Sequence, residues 1–262
     1  MLRVHLTSTT STNDAAQRWA ARHPGHAVLV SARTQTAGRG RGGRPWRSPA
    51  GGAWFSVAWP VTAPLQRYAA APLVVGLAVA RTLDTLLTRG TRVQIKWPND
   101  LLLDDAKLAG ILCETAITGD RPATLIAGVG INVNLDAADL GDDMALPATS
   151  MRAAVGRSLP LGPLIDAMGH AVAAALGRLD AHGLTGSDRD AIEDRLAWRG
   201  ETVSLRCGGE VVRGEVRGLA GDGQLVLQTA EGLRTVRSGE VSRLRLADVT
   251  IRSPLALQES VI

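Results

Sequence analysis

The chain carries 29 lysine and arginine side chains, and only two of them, Lys96 and Lys107, are lysines. Arginine serves at every other cationic position. These two places therefore call for what lysine offers, a compact point charge with three donors in place of a flat fork. They sit in Lys96-Trp97-Pro98-Asn99-Asp100 and Lys107-Leu108-Ala109-Gly110. Upstream, Gly38-Arg39-Gly40-Arg41-Gly42-Gly43-Arg44 alternates cations with glycine. Glycine lets the backbone approach a ligand closely, successive free amides form an anion nest, and guanidinium groups add charge-assisted donors. The run lacks the Gly-Lys-Ser/Thr ending of a Walker loop. Trp46 follows it, with a flat apolar face suited to adenine or another ring, or to anchoring the loop's exit in the core.

Pro98 ends a strand and forces an extended exit, so Asn99 and Asp100 project from a strand end. A carboxylate beside phosphates works through Mg²⁺. Gly110, inside a strand, marks either a bulge or the close approach of a ligand. In Gly128-Val129-Gly130-Ile131-Asn132-Val133-Asn134, alternation puts both glycines and both asparagines on one face. That face leaves room for a ligand or for a tightly packed helix. Ser11-Thr12-Asn13 either caps a helix or hydrogen-bonds a small polar head group such as a urea. His5, His23, His26, His170 and His182 are scattered. With no Ser-His-Asp set and no activated cysteine, the pattern is a cationic site without a nucleophile of its own. Such a site positions a nucleotide phosphate and a carboxylate and lets them react with each other.

The elements that must hold these groups follow from periodicity. Strands are predicted at Leu2–Leu6, Ala27–Ala32, Trp54–Trp59, Val93–Trp97, Leu108–Ile117 and Ala123–Val133, the last two joined by a turn at Gly119–Pro122. Helices are predicted at Asp14–Arg22, from Pro72 to Thr88, at Leu161–Leu179 and at Ser187–Leu196, the last opened by Ser187. Thr34–Gly52 reads as a polar loop and Ala137–Pro147 as a flexible acidic connection. After Trp198 the texture changes to short strands separated by Gly and Asp turns. We expect a catalytic domain over residues 1–197, a small β-barrel over 198–248 and a tail over 249–262.

The bulk properties narrow the class. A hydrophobic share of 45% with 21% charged residues is that of a globular protein. The net charge of +4 comes with arginine enrichment throughout and no basic tail, so it gives no support to polynucleotide binding. Cys113 and Cys207 are far apart and lack metal-ligand spacing, which fits a reducing, cytoplasmic setting. No signal peptide opens the chain and no apolar run is long enough to span a membrane.

Taken in order, five runs resemble the biotin–protein ligases: Ser11–Asn13, Gln35–Trp46, Lys96–Asp100, Lys107–Ile111 and Gly128–Asn132. The resemblance covers about residues 1–135, and the β-rich end is similar to that family's small SH3-like barrel. It implies an α+β fold, class II synthetase-like, with a mixed sheet, helices packed on one side and the appended barrel. It implies two steps: biotin and ATP give biotinyl-5′-AMP and pyrophosphate, then a lysine of a biotin carboxyl carrier domain of an acyl-CoA carboxylase takes the biotinyl group. By position, biotin would meet Ser11, Thr12, Asn13, Gln35, Arg39, Gly40, Arg41, Lys107 and Gly110. ATP would meet Arg39, Arg41, Arg44, Trp46, Lys96, Asn99 and Asn132, with Mg²⁺ at Asp100. Lys107, Arg41 and Lys96 would carry the catalytic charge.

The matched pattern begins within the first dozen residues, so a DNA-binding role is not expected. No membrane partner is expected either, and the chain should be a monomer or weak homodimer. Two other readings stay open: a lipoate–protein ligase, and a non-enzymatic Arg-Gly RNA-binding module, which the lack of interleaved aromatics disfavours.

Overall fold

Residues 1–116, 123–140 and 146–243 are described by the computed structural model. Strand β1 (Leu2–Thr9) leads through helix α1 (Thr12–Arg22) to β2 (Val28–Gln35) and β3 (Ala53–Pro60). Helix α2 (Ala71–Asp84) follows, then β4 (Gln94–Lys96), β5 (Asp100–Leu103), β6 (Ala106–Ala116) and β7 (Thr124–Ile131). Two short helices, α3 (Ala137–Leu140) and α4 (Met151–Val155), precede α5 (Leu161–His182) and α6 (Gly186–Glu193). The predicted turn at 119–122 and the tail lie outside the described residues, as does the middle of the acidic connection.

The seven strands form one sheet in the order β1-β2-β3-β7-β6-β5-β4. β1 and β2 are parallel across the α1 crossover, and the other neighbours are antiparallel. Ser11 caps α1, its hydroxyl accepting from the Asn13 amide, so the helix starts two residues earlier than predicted. Thr185, not Ser187, caps α6 in the same way.

The expectation of helices on one side of the sheet does not hold. β2 and β3 are buried almost throughout, so both faces need cover. Leu29, Phe55, Val57, Ala127 and Val129 belong to the large core beneath α2 and α5. Val28, Val30, Ala58 and Ile126 face the opposite way and pack on Ala15, Ala16 and Ala20 of α1. One strand escaped prediction: β5 begins directly after the turn that follows β4, and all four of its residues are buried.

The C-terminal strands β8 (Thr202–Cys207), β9 (Glu210–Leu219), β10 (Leu225–Thr229), β11 (Gly232–Val236) and β12 (Glu240–Arg243) form a second, antiparallel sheet. Its order is β11-β10-β9-β8-β12, and among the described residues β11 and β12 share no ladder. The predicted SH3-like barrel is therefore an open sheet. Alternation and glycine turns pair neighbouring strands, but closure also needs strand length, tilt and stagger to agree. Here the edge strands have five and four residues. Specific contacts hold this C-terminal region to the rest of the chain. The Trp97 indole donates to Gly223 O at 3.0 Å, the Trp198 indole donates to Asp105 at 3.1 Å, and Glu193 accepts the Leu219 amide at 2.7 Å.

Gly169 on α5 lets the helix pack tightly on the sheet: a Cβ there would come within 2.6 Å of Leu29 Cδ2. Gly169→Val should overpack that contact and cost about 1–3 kcal/mol, read as a lower midpoint in chemical denaturation.

Candidate active site

β4 and β5 are adjacent strands of a tight hairpin, and the ladder pairs Lys96 with Asp100 directly. The next ladder pairs Asp100 with Gly110 on β6. By strict alternation Lys107 would point away from Gly110. A register shift at Leu101/Leu102 pairs Leu102 with Lys107 and leaves Leu108 as the extra residue of β6. Such a bulge re-aims a side chain, and here it brings Lys107 to the face of Asp100. Lys107 Nζ lies 2.8 Å from Asp100 Oδ1, and Lys96 Nζ 3.3 Å from Oδ2. Two ammonium groups thus share one largely buried carboxylate. Each also lies over an indole: Lys107 over Trp46 at 5.2 Å and Lys96 over Trp198 at 5.9 Å.

Gly110 and Gly130 are partners across β6 and β7. Together they form a floor without side chains on which Trp46 lies. A Cβ on Gly130 would come 2.6 Å from the indole nitrogen, and one on Gly110 would come 3.3 Å from the ring. The indole N–H is buried with no acceptor among the described residues. Two residues along β7, Gly128 admits the start of α1, where a Cβ would sit 2.1 Å from Asn13 Oδ1. The helix-packing reading of the glycine face therefore holds at Gly128, while Gly110 and Gly130 seat the Trp46 indole.

Around this floor lies a cavity of about 420 Å³. Every residue assigned to the site from sequence lines it: Ser11, Thr12, Asn13, Gln35, Arg39, Gly40, Arg41, Arg44, Trp46, Lys96, Asn99, Asp100, Lys107, Gly110 and Asn132. The local partners divide them. Gln35 Oε1 accepts from the Thr12 amide at 2.8 Å and its hydroxyl at 3.2 Å, while Gln35 Nε2 donates to Ser48 Oγ at 2.8 Å. Asn13 is held on both sides, accepting from Ser56 at 2.6 Å and donating to Glu114 at 2.6 Å. Asn99 donates to Ile111 O, and Asn132 to Thr149 O. Asn13, Asn99 and Asn132 thus have side-chain amides already bonded to protein. Both oxygens of Asp100, the expected Mg²⁺ ligand, face ammonium groups. Among the described residues no three His, Cys, Asp or Glu side chains gather to hold a metal ion.

The arginine loop is packed, not free. Arg39 sits between Asp14 at 2.7 Å and Glu114 at 3.0 Å. The hydrogen bond to Asp14 and the charge of Glu114 raise its pKa further, against the opposing effect of burial. Arg41 donates to Gly239 O, and Arg44 pairs with Glu240 at 2.8 Å. The start of β12 therefore closes one end of the cavity, which Gly239 and Glu240 help line. Arg44 holds Glu240 from the other side and keeps its carboxyl below the usual range. Burial pushes the Cys113 thiol up to about 12, which removes it as a nucleophile at neutral pH.

Sequence reasoning missed Glu114, Trp198 and Glu240. Glu114 was within reach, because Gly110, Leu112 and Glu114 alternate on one face of β6. Trp198 reaches Lys96 through the bridge of Leu196 with Ile95 on β4, and Glu240 reaches the site through the docking of the second sheet.

Comparison with known proteins agrees with this geometry. Residues 5–132 match the model of the biotin/lipoate A/B protein ligase family, and residues 200–244 match that of the biotin protein ligase C terminal domain. The chain is 36% identical to a biotin–[acetyl-CoA-carboxylase] ligase of Paracoccus denitrificans, over 90% of this chain and 98% of that one. It is 30% identical to the bifunctional ligase/repressor BirA of Bacillus subtilis, over 88% of this chain and 71% of that protein. Among solved structures it is similar to the biotin protein ligase from Aquifex aeolicus in complex with biotin and ATP, with a TM-score of 0.77, 28% identity and coverage of 93% and 99%.

Removing Asp100 leaves two largely buried ammonium groups without their counter-charge. Asp100→Ala should destabilise the ligand-free protein by about 3–5 kcal/mol, and pyrophosphate should restore part of that loss. Unfolding followed with and without pyrophosphate reads both effects.

Proposed function

The chain belongs to the biotin protein ligase family, and from that premise we propose that it activates biotin with ATP as biotinyl-5′-AMP and passes the biotinyl group to a lysine of a biotin carboxyl carrier domain. The observation that carries this reading is Asp100 holding Lys96 and Lys107 together at the edge of a side-chain-free glycine floor.

In the first step a biotin carboxylate oxygen attacks the α-phosphorus of ATP. The bond from that phosphorus to the bridging oxygen breaks, and pyrophosphate leaves. Bringing two anions to ~4 Å at an effective dielectric of ~20 costs about 4 kcal/mol for each pair of unit charges. Lys107 and Lys96 offset that repulsion and hold charge as it develops. Ser11, Thr12 and Gln35 fit the ureido ring. Trp46 forms an apolar wall beside Lys107. Arg41 and Arg44 reach the nucleotide from the loop, and closure of the loop would keep water from the anhydride. Mg²⁺ would come with the ATP phosphates and would screen their charge there. With both Asp100 oxygens turned to ammonium groups, no step is routed through an ion held by the protein.

In the second step the acceptor amine attacks the acyl carbon, the bond to the AMP oxygen breaks, and the amine proton goes to solvent. The acceptor is the carrier domain of an acyl-CoA carboxylase, and the protein acts as a monomer or weak homodimer. Two free cysteines fit a cytoplasmic setting. No described helix is long and apolar enough to cross a membrane.

Biotin-dependent exchange of labelled pyrophosphate into ATP tests the reading; equal exchange with lipoate, or none with biotin, would overturn it. Lys107→Ala should lower exchange by about a hundredfold or more, as when a preorganised charge stabiliser is lost, with thermal unfolding unchanged. Exchange at the wild-type rate removes Lys107 from the mechanism. Arg41→Ala should release biotinyl-5′-AMP faster, read by rapid filtration of the enzyme-bound intermediate.

A further inference from the structure

We propose that Glu114 is a positioning residue for biotin: it fastens the start of α1 to the root of the arginine loop, so that the wall facing the ureido ring moves as one piece. The inference rests on the biotin reading above and deepens it.

The geometry is that of a staple. Glu114 Oε2 accepts from Asn13 Nδ2 at 2.6 Å. The same carboxylate receives Arg39 Nε at 3.3 Å and Nη2 at 3.0 Å. On the other side of that guanidinium, Asp14 Oδ1 accepts from Nη2 at 2.7 Å. Three elements meet here: the first turn of α1 through Asn13 and Asp14, the loop through Arg39, and β6 through Glu114. Asn13 also reaches the backbone of β6 at Leu112 O.

Glu114 does not line the cavity, whereas Asn13 and Arg39 do, so it acts through them. It also stands seven residues along β6 from Lys107, roughly 20 Å at the rise of an extended strand, and cannot touch the reacting atoms. The guanidinium of Arg39 is already answered by two carboxylates. Arg39 is thus the loop's anchor to α1 and β6, while Arg41 and Arg44 are held by Gly239 and Glu240 at the start of β12. Charge-assisted, multidentate bonds give geometric definition even where solvent weakens their energy. The expected consequence is a weaker grip on biotin with the chemistry intact.

Two variants separate the parts of the staple. Glu114→Gln keeps an oxygen for Asn13 but removes the charge facing Arg39; Glu114→Ala removes both. The Michaelis constants for biotin and ATP and the kcat of pyrophosphate exchange are measured for each, together with thermal unfolding. The biotin constant should rise about threefold in Glu114→Gln and about tenfold in Glu114→Ala, as ordered charge-assisted bonds are lost, while ATP constants and kcat stay within about twofold. A biotin constant unchanged in both variants overturns the proposal, as does a parallel rise for ATP or a parallel fall in kcat. Should Glu114→Ala fail to fold, Glu114→Gln carries the decision alone. Absence of biotin-dependent exchange in the wild type would instead count against the proposed function and is read separately.

Discussion

Two largely buried ammonium groups around one carboxylate form the constraint on which the rest of this molecule depends. Asp100 neutralises one charge and leaves one, so the edge of the glycine floor is short of an anion until ligands arrive. Burial makes that imbalance strong, because little water is present to screen it. Six cationic side chains and three carboxylates line the cavity as a whole. A site so charged favours a pair of reactants that repel each other in water and meet only where their charge is answered in advance.

Holding that imbalance in place takes most of the fold. The bulge in β6 aims Lys107, the hairpin aims Lys96, and each ammonium has an indole beside it to limit its access to water. Glycines at 110 and 130 remove the side chains that would otherwise fill the floor. The asparagines nearby are part of the frame: Asn99 and Asn132 tie strand ends to their neighbours. The second sheet contributes where it touches the arginine loop, so the order of that loop depends on residues some two hundred positions downstream.

Much of this was legible beforehand. The lysine pair, the Arg-Gly run and the alternating glycines marked the site because each residue type there is demanded by chemistry or by space. Strands and helices in the first sheet were legible wherever period two or period 3.6 ran long enough. β5 was not, since an aspartate and three leucines directly after a turn carry no period of their own. The barrel expectation failed for a related reason: local alternation says which strands exist and which neighbours pair, but not whether the last strand returns to the first. The one-sided helix layer fails because β2 and β3 bury side chains on both faces, and α1 covers the face that α2 and α5 leave open.

By itself, then, the sequence determined the chemistry that must be present: a cationic, nucleophile-free site with a flexible glycine-arginine segment and a strand face stripped of side chains. Tertiary structure alone decided which of those groups meet. A single bulge turned Lys107 toward Asp100, the pairing of Gly110 with Gly130 made a seat for Trp46, and α1 used Gly128 to bring Asn13 to Glu114. The physical reason is that residue type sets what a side chain can do, while register and packing between distant strands set where it points.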